Sequence, residues 1–233
     1  MDNPSSPEVD AAFFAGLRAP TRFLIIRHGQ SEANARRIVQ GLRDFRLDDS
    51  GRAQAAELGH WLKDKGIDTI LCSPLKRAEE TAQILASCLS LPRPALLPEL
   101  IEIDAGRFSG LDLDQAKTLY PEDFAAFERE SWEGVPDAER AAAVYARAVR
   151  AWGQLRARAE GGSRRIACVT HGGLIQWLVR VTFGAHSWMP LLPTGNCGIF
   201  ELLVEPTDGK PKLFWERLNY QVPGSVPPVA PVF

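Results

Sequence analysis

Short apolar runs alternate with longer stretches of helical period along this chain, and two of the runs stop at a histidine followed by glycine. Phe23, Leu24, Ile25 and Ile26 lie in the first run, 22–27, which ends at His28-Gly29; β-branched and aromatic residues bounded by a turn signal predict a strand. Residues 50–66 set Ala53, Ala56, Leu58, Trp61 and Leu62 among polar neighbours, with Ser50 as N-cap and Gly66 as stop, which predicts a helix. A second strand follows at 69–74, then Leu75, Ala78, Ala82, Leu85 and Leu89 at the three- and four-residue spacing of a helix stripe. A third apolar run, 95–101, leads through a loop with Gly106 and Gly110 to a helical segment at 114–130, read as an excursion from the sheet. Across 137–159, Ala141, Val144, Tyr145, Ala148, Trp152 and Leu155 form the stripe of the longest helix, with Arg140, Arg147, Arg150 and Arg156 largely off it. The strand at 165–170 ends at His171-Gly172-Gly173 and hands over to an apolar helix at 174–183; strands at 198–204 and 212–218 close the fold.

Alternation of this kind needs crossover connections, so the expected class is α/β, a three-layer sandwich with a mainly parallel central sheet flanked by helices. A length of 233 residues suits one core. The chain divides into an N-terminal extension over 1–20, a domain over 21–219 and a proline-rich tail over 220–233. Pro223, Pro227, Pro228 and Pro231 exclude a helix from the tail, and its Val and Phe residues favour an extended strip on the protein's own or a partner's surface over a solvated linker.

Charge limits the partners. With 27 basic and 29 acidic residues the net charge is −2, so no basic field awaits nucleic acid or an anionic membrane, and any anionic ligand must be held locally. The amino terminus lacks a basic n-region and no run of about 18 apolar residues occurs, so a soluble, cytoplasmic protein is expected. Cys72, Cys88, Cys168 and Cys197 form no zinc or dithiol spacing, and Cys72 and Cys168 lie in apolar runs that suit buried, reduced thiols.

In parallel sheets ligands bind beyond the carboxyl ends of the strands, where His28 and His171 stand. Either could be a satisfied core histidine; two at equivalent strand ends argue for a site. Arg27 can converge with His28 only if the strand bends there, which Gly29 permits. Arg77 lies in the first turn of a helix, where the dipole favours anions, so it points to a bound anion unless it simply pairs with Glu79 or Glu80.

Arg27-His28-Gly29 with Ser31-Glu32-Ala33-Asn34, then Ser73-Pro74-Leu75-Lys76-Arg77-Ala78, then Val169-Thr170-His171-Gly172-Gly173, together resemble the histidine phosphatase superfamily, with its phosphoglycerate-mutase-like fold. The resemblance runs from residue 22 to about 204, and three separated motifs in order make it specific. Leu100-Ile101-Glu102-Ile103-Asp104, followed by Gly106 and Gly110, looks like the family's acid-bearing loop, and 41–51 with Leu47 and Gln54-Ala55 like its linker to the first helix. The resemblance implies that His28 is a nucleophile forming phosphohistidine, with Arg27, Arg77 and His171 around the equatorial oxygens. It also places Asn34, Gln40, Gly41 and Gly172 at the phosphate, and makes Glu102 the acid that protonates the leaving alkoxide and then activates water. No metal or cofactor is expected, because arginines and histidine supply the positive charge; a small phosphorylated metabolite is the expected partner, with a homodimer possible in principle.

Water or a bound hydroxyl can accept the phosphoryl group, so the same residues suit a phosphatase or a mutase. The 69 positions from Glu102 to His171 leave less room than the mutases' longer insert, and the acidic stretch 111–139 is a poor host for bisphosphoglycerate unless its acids merely solvate helix faces. Phosphatase chemistry therefore ranks first, a cofactor-dependent phosphoglycerate mutase second, and a binding module without turnover third. Phe108-Ser109-Gly110 and Gly134-Val135-Pro136 depart from the family's usual residues at the substrate end, so the alcohol is left open. Arg36, Arg37, Arg43 and Arg46 could meet a second anionic group or be solvated loop residues.

Overall fold

The computed structural model describes residues 8–188 and 190–222. The surface strip expected of the tail therefore lies, from residue 223 onward, outside the described residues. Among these, six strands form one sheet: β1 (Thr21–Arg27), β2 (Thr69–Cys72), β3 (Ala95–Leu96), β4 (Arg165–Thr170), β5 (Ile199–Glu205) and β6 (Lys212–Tyr220). Their order is β3-β2-β4-β1-β5-β6. The pairs β2–β3, β2–β4 and β1–β4 are parallel, whereas β5 and β6 run antiparallel along one side.

The helices are α1 (Glu32–Ala35), α2 (Asp49–Leu62), α3 (Lys76–Leu89), α4 (Leu113–Leu119), α5 (Pro121–Glu130), α6 (Ala141–Glu160) and α7 (Gly172–Arg180). Strand residues alternate between faces, and each face has its own core. Phe23, Ile25, Ile166 and Cys168 pack with Val144, Ala148 and Trp152 of α6 and Leu174 and Trp177 of α7. Leu24, Ile26, Ala167 and Val169 pack instead with Leu58 and Leu62 of α2 and Ala82 and Leu85 of α3. The result is the three-layer arrangement. Trp152 is fully buried, donates its indole N–H to Leu178 O at 2.8 Å, and meets Phe14 and Phe23 edge-on. Through Phe14 the segment preceding β1 joins the core, as do Val9 and Leu17.

Several boundaries differ from the sequence reading for local reasons. Asp48, not Ser50, caps α2, its carboxylate accepting from Gly51 N at 2.8 Å while Gln30 holds its other oxygen. α2 ends at Leu62, before Gly66. The run 95–101 contributes only two strand residues, because Pro98 has no amide to donate and opens a 3-10 turn, Pro98–Leu100. The segment 114–130 is broken between α4 and α5 at Pro121, which cannot continue α4 and takes the first position of α5. α6 starts at Ala141, since Asp137 has φ of 64° and Ala138 bridges to Ala105. Arg147, read as lying off the α6 stripe, is buried there. α7 begins at Gly172 and closes with a 3-10 turn, Val181–Phe183. None of the described helices is long and apolar enough to cross a membrane.

Candidate active site

Parallel register sets the two histidines side by side. Arg27 pairs with Thr170 at the ends of β1 and β4, His28 N donates to Thr170 O at 2.9 Å, and the imidazoles of His28 and His171 lie 5.1 Å apart between centroids. His28 Nδ1 is 2.7 Å from Gly29 O. A carbonyl only accepts, so Nδ1 carries the proton and, in the neutral ring, Nε2 keeps its lone pair.

Gly29 is required by space rather than by a left-handed conformation. A Cβ there would stand 2.5 Å from Gly51 O, and one on Gly51 would stand 2.0 Å from Gln30 O, so the turn after His28 lies backbone to backbone against the start of α2. Gly29 N donates to Thr81 Oγ1 at 3.0 Å, and that hydroxyl donates to Arg77 O at 2.7 Å, tying the turn to α3.

Arg77 does not pair with Glu79 or Glu80, which bind Arg93 and Arg52 instead. Its guanidinium donates to Gly41 O at 3.0 Å, Arg43 O at 2.8 Å and His171 Nδ1 at 3.2 Å. With Nδ1 accepting, His171 Nε2 carries the proton and donates to Ser73 Oγ at 2.7 Å. Arg27 donates to Thr194 O. Ser31 and Asn34 form the capping box of α1, Ser31 Oγ donates to Gln40 Oε1 at 2.9 Å, and Asn196 links His28 O to Asn34 Oδ1.

Burial, then the charges of Arg77 and Arg27, hold the His28 pKa well below the ordinary histidine value. His171 is depressed in the same way, by burial first and Arg77 second. Burial lowers Arg27 and Arg77 to about 10 while Glu102 opposes the shift, so both guanidiniums stay charged at neutral pH. The centre is two cations beside two neutral imidazoles, an environment made for a compact anion.

Glu102 stands across from them without a surface ion pair. Its carboxylate accepts from Ile103 N at 2.9 Å, Leu174 N at 3.1 Å and Gly173 N at 3.2 Å, the last two at the amino end of α7. Gly173 makes the approach possible, since a Cβ there would meet Glu102 Oε1 at 2.6 Å and Ile103 Cγ1 at 2.9 Å.

A cavity of about 40 Å³ opens here, lined by Arg27, Asn34, Gln40, Gly41, Glu102 and Gly173 and by the apolar side chains of Ile38, Val39, Ile103, Ala105 and Trp132. His28, Arg77 and His171 are buried and are not part of its lining. Gly172 opens α7 but its neighbour Gly173 lines the cavity. Trp132 brings the excursion containing α4 and α5 to the rim. Arg36, Arg37, Arg43 and Arg46 are not in the lining; Arg43 lies over Gly110, and Arg46 borders a surface groove with Lys76. A larger cavity, about 560 Å³ beside Tyr145, His186 and Trp188, contains none of these groups. No group of three or more His, Cys, Asp or Glu among the described residues is arranged to hold a metal ion. Cys72 and Cys168 are buried and reduced, burial raising Cys72 to about 12 and Cys168 further.

Sequence reasoning quoted Ser73 in a motif without giving it a role, and missed Thr81, Asn196 and Arg147. Thr81 follows Arg77 by one helical turn and Ser73 closes a strand, so both carried a positional signal; Asn196 and Arg147 touch the site only through long-range folding.

Against known proteins, the family model described as Histidine phosphatase superfamily (branch 1) matches residues 23–216. "Phosphoglycerate mutase-like protein 4" of Arabidopsis thaliana is 34% identical over 158 residues, 66% of this chain and 68% of the relative. "Phosphoserine phosphatase 1" of Hydrogenobacter thermophilus is 36% identical over 111 residues, 47% of this chain and only 51% of the relative. Among solved structures, a mycobacterial glucosyl-3-phosphoglycerate phosphatase complexed with VO3 superimposes with a TM-score of 0.76 at 26% identity, covering 85% of this chain and 99% of that one.

Proposed function

The chain belongs to the histidine phosphatase superfamily, whose members are phosphatases or phosphoglycerate mutases, and within it we propose a metal-independent hydrolase of small phosphomonoesters. His28 Nε2 attacks phosphorus, the bond to the ester oxygen breaks, and Glu102 gives its proton to the departing alkoxide. Water then attacks phosphohistidine, Glu102 takes a proton from it, and inorganic phosphate leaves with His28 restored. Arg27, Arg77, His171 and Asn34 meet the equatorial oxygens, where transition-state charge grows. The observation that carries this reading is the Nδ1 contact to Gly29 O at 2.7 Å, which leaves Nε2 free in a ring kept neutral by burial and two arginines.

The cavity wall favours hydrolysis over phosphate transfer. Apart from Asn34, Gln40 and two glycines the lining is Ile38, Val39, Ile103, Ala105 and Trp132, with Arg27 and Glu102 its charged members, so among the described residues of the wall a second phosphate or a carboxylate finds no further cation. A small alcohol without a second anionic group fits best.

The test is phosphate release from p-nitrophenyl phosphate and a panel of natural monoesters, with EDTA present and His28→Ala as control. Phosphoserine and glucosyl-3-phosphoglycerate, taken from the relatives' names, belong in the panel. Metal-independent release that disappears in His28→Ala is the expected result. No release from any ester, together with turnover in an assay primed with 2,3-bisphosphoglycerate, would replace the hydrolase with a mutase.

A further inference from the structure

Four successive carbonyls, those of residues 99–102, leave the 3-10 turn Pro98–Leu100 and lead into Glu102, and each takes its donor from a side chain elsewhere in the chain. Thr170 Oγ1, next to His171, donates to Leu100 O at 2.7 Å. The other three converge on one guanidinium. Arg147 reaches Ile101 O at 2.5 Å and Glu99 O at 3.2 Å through Nη1, and Glu102 O at 3.4 Å through Nη2. Its remaining edge grips Glu139, Nε to Oε1 at 3.0 Å and Nη2 to Oε2 at 2.5 Å. Glu139 N in turn donates to Asp104 O at 2.9 Å, so both sides of the loop are tied to the same pair.

We propose that Arg147 is a positioning residue for Glu102, setting where the acid stands by fixing the backbone that bears it; the proposal rests on the phosphatase reading. Arg147 meets Glu102 only at its carbonyl, while the carboxylate is held by the amides of Ile103, Gly173 and Leu174. The loop is thus clamped from α6 and the carboxylate from α7. Releasing either clamp moves the proton donor relative to the phosphorus site. An arginine is needed because a planar fork serves one carboxylate and several carbonyls together, whereas an ammonium is a single point with three rotating donors. The side chain is 9% exposed and its carboxylate partner 20%, so the pair is shielded from salt and stays formed while the loop carries substrate.

Arg147→Ala would leave a half-buried carboxylate and three carbonyls unmatched and could simply unfold the domain, so the test uses Arg147→Lys. Rates are measured on p-nitrophenyl phosphate, whose leaving group needs no proton, and on an alkyl phosphate, whose leaving group does. The expected fall in Arg147→Lys is about 30-fold for the alkyl ester against about threefold for the nitrophenyl ester, a partial loss of the roughly 100-fold or more that general acid catalysis supplies. In a Glu102→Gln background Arg147→Lys should add little, since the group it positions no longer transfers a proton. Equal falls on both esters, or a full additive loss on top of Glu102→Gln, overturn the proposal. If the unaltered chain hydrolyses neither ester, the phosphatase reading fails and amide hydrogen exchange decides the positioning role alone. Faster exchange at Gly173 and Leu174 in Arg147→Lys, with β4 unchanged, sustains it; unchanged exchange there refutes it.

Discussion

Mild acid should destabilise this protein through two buried histidines. His28 and His171 are 1% and 0% exposed, and burial with Arg77 holds both well below the ordinary histidine value. In the unfolded chain both take up protons near about pH 6.5, whereas in the fold they stay neutral. The unfolded state therefore binds more protons, and stability rises with pH through this window. In the other direction, the full contribution is present above about 6.5 and is lost as pH falls toward the depressed folded values. Each group gives a limiting slope of about 1.4 kcal/mol per pH unit, so the pair gives about 2.7. Each unit of acidification between about 6.5 and the depressed folded values therefore removes up to about 2.7 kcal/mol, a sizeable part of the stability of an ordinary domain. Urea unfolding at pH values from about 7.5 to 4.5 measures the slope directly, with linear extrapolation. His28→Asn should halve it to about 1.4, because one proton site is gone. Saturating inorganic phosphate should flatten it too, since a bound anion offsets Arg27 and Arg77 and draws the histidine pKa values upward. A slope below about 0.5 kcal/mol per unit, or one unchanged in His28→Asn, would refute the buried neutral pair.

Three further outcomes follow from the packing. Gly173→Ala brings a Cβ to 2.6 Å from Glu102 Oε1 and 2.9 Å from Ile103 Cγ1, displacing the carboxylate by roughly 1 Å; alkyl phosphate turnover should drop about 100-fold, with a loss of about 1–3 kcal/mol in a urea melt from the clash with Ile103. Gly29→Ala forces a Cβ to 2.5 Å from Gly51 O, with backbone on both sides, so stability should fall by at least about 1–3 kcal/mol, visible in a urea melt. Trp152→Ala empties the contact among Phe14, Phe23 and Leu178 and should cost about 3–5 kcal/mol in the same measurement, without altering leaving-group dependence.

That the candidate residues would meet was legible because their signals are local. A β-branched run stopping at His28-Gly29, another stopping at His171-Gly172, and Arg77 at a helix start each show in a few adjacent residues. The loop around Glu102 carried its own motif. Element ends were less legible, since Asp48 and Ser50 are both good caps and only the contact from Gln30 selects Asp48. Arg147 was misread because a helix stripe marks apolar positions, and a buried guanidinium breaks the pattern when distant carbonyls and Glu139 satisfy it.

Hydrophobic period, the strand-end histidines and the family motifs lie in the sequence itself, and they determined the α/β class and the chemistry to look for. Tertiary structure decided the rest. That β4 lies next to β1, in a register that sets His171 beside His28, depends on strand pairing between residues more than a hundred positions apart. The protonated nitrogen of His28, the backbone contact of Gly29 with Gly51 and the amide seat of Glu102 likewise require elements that no local pattern connects. Burial and pairing of this kind arise only when the whole chain has closed, and they turn a set of reactive side chains into one site with defined charge and geometry.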